Sequence, residues 1–140
     1  MSMRLSKIFG GLKLKGNKSM SMQHSTQIAP LSKVLTLPLK QSIGHAAEAI
    51  VKVGDTVLKG QMIASAKDFV SVPIHAPSSG KIIAIEKHAV PHPSEIASDC
   101  IVIETDGKEQ WIECETNANY RQLEANDLRN IIRDAGIVGL

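Results

Sequence analysis

Aromatic side chains are nearly missing from this sequence: Phe, Trp and Tyr make up 3% of its 140 residues. A folded core must therefore be aliphatic, built mainly from Ile, Val, Leu and Ala. Acidic residues are missing from one end. Residues 1–40 hold Arg4, Lys7, Lys13, Lys15, Lys18, Lys33 and Lys40 but no Asp or Glu, although the formal net charge of the whole chain is only +2. Such a leader suits a transit peptide, a nucleic-acid arm, or an arm lying near anionic lipid or an acidic partner. Nucleic acid is the poorest fit, because Trp111 and Tyr120 lie far from the basic stretch and cannot interleave with it. Cysteine is scarce too. Cys100 and Cys114 have no Cys-x-x-Cys partners, so no zinc or iron–sulfur ligand set is assembled from them. Two buried or half-buried thiols in a reducing compartment are expected. Finally, no stretch approaches the roughly 18–20 apolar residues of a spanning helix, and no apolar run of a secretory signal follows the first lysines. The expectation is a soluble chain, or one attached to a membrane from one side.

What is present is ordinary for a globular domain: 43% hydrophobic and 21% charged residues, too apolar for wholesale disorder. The length suits one domain with an appendage. Residues 1–33 read as an irregular basic leader, since Gly16–Ser25 is polar and loop-like. Regular pattern begins at Val34. Val34–Leu39 reads as a strand that Pro38 confines to an edge. Short strands follow at 49–51, 56–58, 60–64, 70–77, 81–86 and 100–104. Gly54-Asp55 and Gly60-Gln61 give the chain the freedom to reverse twice within a dozen residues. Pro77 and Gly80 serve the opposite half, with Gly80 expected to accept a positive φ. Strands this short, with turns this dense, predict a mainly β fold: a small barrel or sandwich over 34–115. The tail changes character. Leu128, Ile131, Ile132 and Ala135 share one helical face over 127–135, capped by Asn126 or Asp127 and ended by Gly136. The apolar run Ile137–Leu140 then reads as the opening of an interrupted second domain, covering 116–140.

Each residue that invites chemistry has a plainer reading. Glu86, His88 and His92 suggest a metal site, but Pro91 and Pro93 make a shared helical face there improbable. His75 reads as a half-buried strand residue. Asp55 has no nucleophile or histidine near it in sequence, and turn capping accounts for it. Ser78-Ser79-Gly80 is too short for a phosphate cradle and opens no helix. No catalytic, cofactor-binding or metal-binding residue is assigned.

Val51–Ala64 and His75–Ile85 together resemble the lipoyl/biotinyl-type barrel-sandwich hybrid, in which two half-motifs pack about a pseudo-two-fold. Carrier members of that fold present a modified lysine on the hairpin between the halves. The position eight residues before the second-half proline, Pro77, is here Phe69. The nearest lysine is Lys67, in Ser65-Ala66-Lys67-Asp68, without the flanks of a lipoylated or biotinylated lysine.

The wider order is similar to the N-terminal domain of the RnfC family, the C subunits of Rnf electron-transport complexes. It includes Leu37–Gly44, the Val53-Gly54-Asp55 motif, Val90-Pro91-His92-Pro93-Ser94, Cys100–Gly107 and Trp111. The front domain of the A subunit of the sodium-pumping quinone reductase is related. Pro91-His92-Pro93-Ser94 and the ending Gly136-Ile137-Val138-Gly139 favour RnfC. The resemblance implies a peripheral subunit on the cytoplasmic side of the bacterial inner membrane, bound to the other subunits of the Rnf membrane complex. It implies FMN, NADH and two 4Fe–4S clusters in sequence beyond this chain, with 116–140 opening a nucleotide/flavin-binding domain. The module itself is then a structural or docking piece. The sequence departs from the family near its start, where Phe9-Gly10-Gly11 is not followed by the usual His-Pro-Pro stretch.

Overall fold

In a computed structural model of the chain, the structure describes residues 15–91, 93, 96–114, 116 and 119–137. The chain divides into two units, Met1–Pro30 and Leu31–Leu140. In the first, the described residues are exposed and carry one short 3₁₀ turn, Ser21–Gln23, closed by the Met22 N–H donating to Lys18 O at 3.0 Å.

The second unit is mainly β. Its strands are β1 Val34–Pro38, β2 Glu48–Ala49, β3 Thr56–Val57, β4 Met62–Ser65, β5 Ile74–His75, β6 Gly80–Ala89 and β7 Ala97–Thr105. They form a four-stranded sheet ordered β1-β7-β6-β3 and a three-stranded sheet ordered β2-β4-β5. Every pairing within the sheets is antiparallel. Pro38 closes β1 on the sheet edge opposite Cys100, where its missing N–H costs no ladder bond. The core between the sheets is aliphatic, as the composition requires: Ile63, Ile82, Ile101 and Ile103 are fully buried, with Val57, Ala64 and Ile74 beside them. The described aromatics lie outside it, with Phe69, Trp111 and Tyr120 all exposed.

The two tight reversals are where the sequence puts them. Gly54 has φ 101° and Gly60 φ 82°, both left-handed conformations that favour glycine. Asp55 caps the first, its carboxylate accepting from the Lys52 N–H at 2.8 Å. Each reversal is then stitched to the opposite half of the module. The Gly54 and Ile82 N–H groups donate to Ile82 O and Asp55 O, each at 2.8 Å. The Gly60 and Ala76 N–H groups donate to Ala76 O and Gln61 O, at 2.7 and 2.8 Å.

Gly80 departs from expectation. It is not among the glycines of positive φ; it opens β6, and a Cβ there would stand 2.2 Å from Glu104 O of β7. Its requirement is close backbone approach, not backbone freedom. Strand bounds also shift. The 70–77 strand shrinks to Ile74–His75 because Val70 and Ser71 are spent closing a hairpin on Asp68, while β6 runs on to Ala89 and β7 starts at Ala97. The helix, α1, is Ala125–Asp134, starting two residues before the 127–135 reading. Its N-cap is Glu124, not Asn126 or Asp127, without a side-chain cap bond; Gly136 ends it at φ 71°, as expected.

Candidate functional site

The residues singled out as chemical candidates are mostly consumed by the fold. Ser78 and Ser79 are buried. The Ser78 hydroxyl donates to Glu109 Oε1 at 2.5 Å and the Ser79 hydroxyl to Asp106 Oδ1 at 2.7 Å. Ser79 Oγ in turn accepts from the Gln110 N–H at 3.0 Å. These bonds tie the loop after β7 to the turn before β6. The Lys59 ammonium completes the seam, pairing with Glu109 and lying 5.0 Å from the Trp111 ring centroid. Lys59 and then Ser78 hold the Glu109 carboxyl below its ordinary range. The Lys108 N–H and then Ser79 do the same for Asp106.

Of the metal candidates, the two that the structure describes form a pair. His88 Nε2 lies 3.1 Å from Glu86 Oε1, and His92 falls outside the described residues. Among the described residues no group of three or more His, Cys, Asp and Glu side chains stands ready for a metal. His75 is half-buried in β5, as read from the sequence. The two thiols part company. Cys100 is buried in β7, where burial pushes its thiol up and its S–H donates to Ser98 O at 3.2 Å. Cys114 is exposed, which corrects the expectation that both would be covered. The segment that carries it lies beyond β7 and adds nothing to the core.

Iron–sulfur and flavin or nicotinamide groups, which the family resemblance implies, can be tested against these residues. One buried and one exposed thiol do not make the four-cysteine ligand set of a 4Fe–4S cluster. A dinucleotide or flavin phosphate favours a glycine-rich turn at a helix N-terminus. The N-terminus of α1 instead carries Glu124 at its cap and Asp127 in its first turn, both wrong in sign. The described residues fit neither group.

What the fold does assemble is the hairpin between β4 and β5 with α1 beside it. Asp68 organises the hairpin: Oδ1 accepts from the Val70 N–H at 3.0 Å and the Ser71 N–H at 2.8 Å, and Oδ2 contacts His45 Nδ1. His45 is the first cause, and the Ser71 amide the next, of an Asp68 carboxyl held below its ordinary range. Lys67 is turned sideways onto β2, its ammonium 2.9 Å from Glu48 Oε1, which holds its pKa up. Phe69 is presented instead, 89% exposed. A guanidinium nitrogen of Arg133 donates to Asp68 O at 3.1 Å, and Gly136 sits against Pro73 O. The helix thus docks back on the hairpin end, with none of its own residues buried. Between them lies a groove of about 760 Å³, lined among others by Phe69, Val70, Arg129, Ile132, Arg133 and Ile137. Sequence order hides this groove, since Asp68 and Arg133 are 65 residues apart.

Comparison with known proteins places this architecture. Residues 6–108 match the family described as the RnfC barrel sandwich hybrid domain. Over 131 residues, 94% of this chain, the sequence is 44% identical to the C subunit of the ion-translocating oxidoreductase complex of Serratia proteamaculans, covering 18% of that protein. The corresponding protein of Vibrio cholerae is 43% identical over the same share of this chain, 17% of its own length. The C subunit of the proton-translocating ferredoxin:NAD(+) oxidoreductase complex of Clostridium ljungdahlii is 39% identical over 132 residues, 94% of this chain and 28% of that one. The chain therefore spans between 17% and 28% of the length of these curated relatives. Among the described residues no helix is long and apolar enough to cross a membrane.

Proposed function

This chain belongs to the family of the RnfC barrel sandwich hybrid domain, and from that premise we propose that it is the structural docking module of an RnfC-type subunit in an ion-translocating oxidoreductase complex. It joins that complex as a peripheral piece, on the cytoplasmic side of a bacterial inner membrane, through contacts with the other subunits. The residues from 116 onward open the next domain of such a protein. Electron transfer through flavin, nicotinamide and iron–sulfur groups belongs to parts of the complex other than this module.

One observation carries the reading. The polar side chains of the turns are committed to hydrogen bonds that hold the fold, with Ser78 and Ser79 buried, whereas the apolar side chains at the hairpin end are turned outward. Asp55, Ser78, Ser79, Asp106 and Glu109 all close turns or tie segments together. Phe69 and Ile137, by contrast, are 89% and 63% exposed where the hairpin end of the module meets the segment of α1. That distribution suits a surface awaiting a protein partner more than a reaction centre. The swinging-arm alternative gains nothing from the geometry, because the residue presented at the tip is a phenylalanine and Lys67 is paired with Glu48.

The test is a binding measurement with the purified remaining subunits of an ion-translocating oxidoreductase complex. Immobilised chain is expected to retain them at low and at moderate salt. Retention at neither overturns the proposal.

A further inference from the structure

Resting on that docking role, we propose that the groove between the β4–β5 hairpin and α1 receives the partner, and that its occupant is a protein segment apolar along one side and bearing carboxylates. The apolar half of this statement comes from the groove itself. Phe69 stands on one wall, and Ile132 and Ile137 on the other, each roughly half exposed or more. Among the described aromatics of a chain with few, the most exposed is at this site and outside the aliphatic core. Aromatic and arginine side chains, which share this groove, are enriched at protein interfaces.

The charged half follows from a mismatch of sign. Arg129 and Arg133 both line the groove, and among the described residues that line it there is no Asp or Glu. Arg133 spends one N–H on Asp68 O, and Arg129 spends one on Asn126 Oδ1 at 2.8 Å. Each guanidinium has five N–H donors, so among the described residues both keep most of their capacity, and the planar fork suits a carboxylate. The carboxylate of Asp68, whose backbone oxygen Arg133 holds, is already committed. Asp68 is taken by His45 and by the Val70 and Ser71 amides. Nor is the chain's own basic stretch a suitable occupant, since residues 1–40 contain no Asp or Glu. A partner segment carrying carboxylates supplies the missing sign.

The full chain is titrated against the same purified subunits, with variants at the groove and one away from it. Phe69→Ser and Arg129→Glu are each expected to weaken binding by about tenfold or more, the scale of an interface anchor. Phe69→Leu, which keeps the apolar contact, is expected to retain most of it, and Lys87→Glu on β6 to bind as wild type. Raising the salt weakens the wild type more than it weakens Arg129→Gln. Phe69 and Arg129 are exposed, so far-UV circular dichroism should show the fold intact in every variant. If wild type binds and the groove variants bind equally well, the groove proposal is overturned while the docking role stands. Failure of the wild type to bind overturns the docking role and the groove with it. If sedimentation shows self-association that Phe69→Ser abolishes, a second copy is the occupant and the partner proposal falls. Photo-crosslinking from position 69 identifies the occupant directly; a captured segment without Asp or Glu overturns the carboxylate claim.

Discussion

At the scale of single residues, Gly80 separates two reasons for needing glycine. Gly54 and Gly60 adopt left-handed φ, a demand that the turn-like dipeptides Gly54-Asp55 and Gly60-Gln61 announce locally. Gly80 makes a different demand, for room beside Glu104 and Thr105 of β7. The two strands run in register here, Gly80 opposite Thr105, so a methyl group meets backbone that neither strand can move without breaking the ladder. Gly80→Ala is therefore expected to destabilise the module by more than about 4 kcal/mol, the range reserved for clashes the structure cannot relax. Urea unfolding of the pair measures it; a loss under about 1 kcal/mol would show that β6 shifts freely. A motif reading of Ser78-Ser79-Gly80 finds the glycine but misassigns its cause, because its neighbour lies 24 or 25 positions away in the chain.

At the scale of elements, the seam after β7 shows how charge is spent. Asp106 and Glu109 are acceptors for Ser79 and Ser78, and both carboxyls titrate below their ordinary values of 3.8 and 4.5. A depressed folded-state pKa means the stabilisation is fully present above the ordinary value and is lost as pH falls through the lowered one. The seam's contribution should thus be constant near neutrality and decay below about pH 4.5. Melting curves from about pH 7 down to about pH 3 check this. The double variant Asp106→Asn, Glu109→Gln is expected to lose stability at neutral pH and to show a flatter acid limb. An acid limb as steep as that of the wild type would move the effect to other carboxylates, among them Asp68, which is lowered by its own hairpin bonds.

The elements also mark how far the sequence could be read. The number and order of strands were legible from turn chemistry and apolar runs between Val34 and Thr105, and the helix from its Leu128, Ile131, Ile132 repeat. Strand lengths were not. Val70–Pro73 looks like strand by composition, yet Asp68 captures the Val70 and Ser71 amides and bends that stretch into a hairpin. β6 and β7 run on as a paired arm past the point where their apolar alternation fades, held by pairings from Glu86–Cys100 to Ala89–Ala97. Of the candidate site, the exchange of a carrier lysine for Phe69 was visible by counting from Pro77. The groove was not, since it is made by α1 folding back across a hairpin far upstream.

At the scale of the whole module, stability and docking draw on different residues, and this makes them separable. The smaller sheet contributes Ile63 and Ala64 to the core, and the larger contributes Ile82, Ile101 and Ile103, all without an aromatic ring among them. Aliphatic packing between two short sheets leaves little slack, so the loss of one branched side chain leaves a cavity its neighbours cannot fill. Ile63→Ala is expected to cost about 2–5 kcal/mol. A control at Val53, which is 60% exposed, should stay within about 0.5 kcal/mol of wild type. Chemical denaturation of the two variants measures this, and a cost for Ile63→Ala no larger than the control's would mean the sheets do not share one core. Phe69, removed from that core, should behave like Val53 in denaturation while differing from it sharply in partner binding. The division has a physical basis: a side chain already in water loses no burial when shortened, so its free-energy value appears only once a partner covers it.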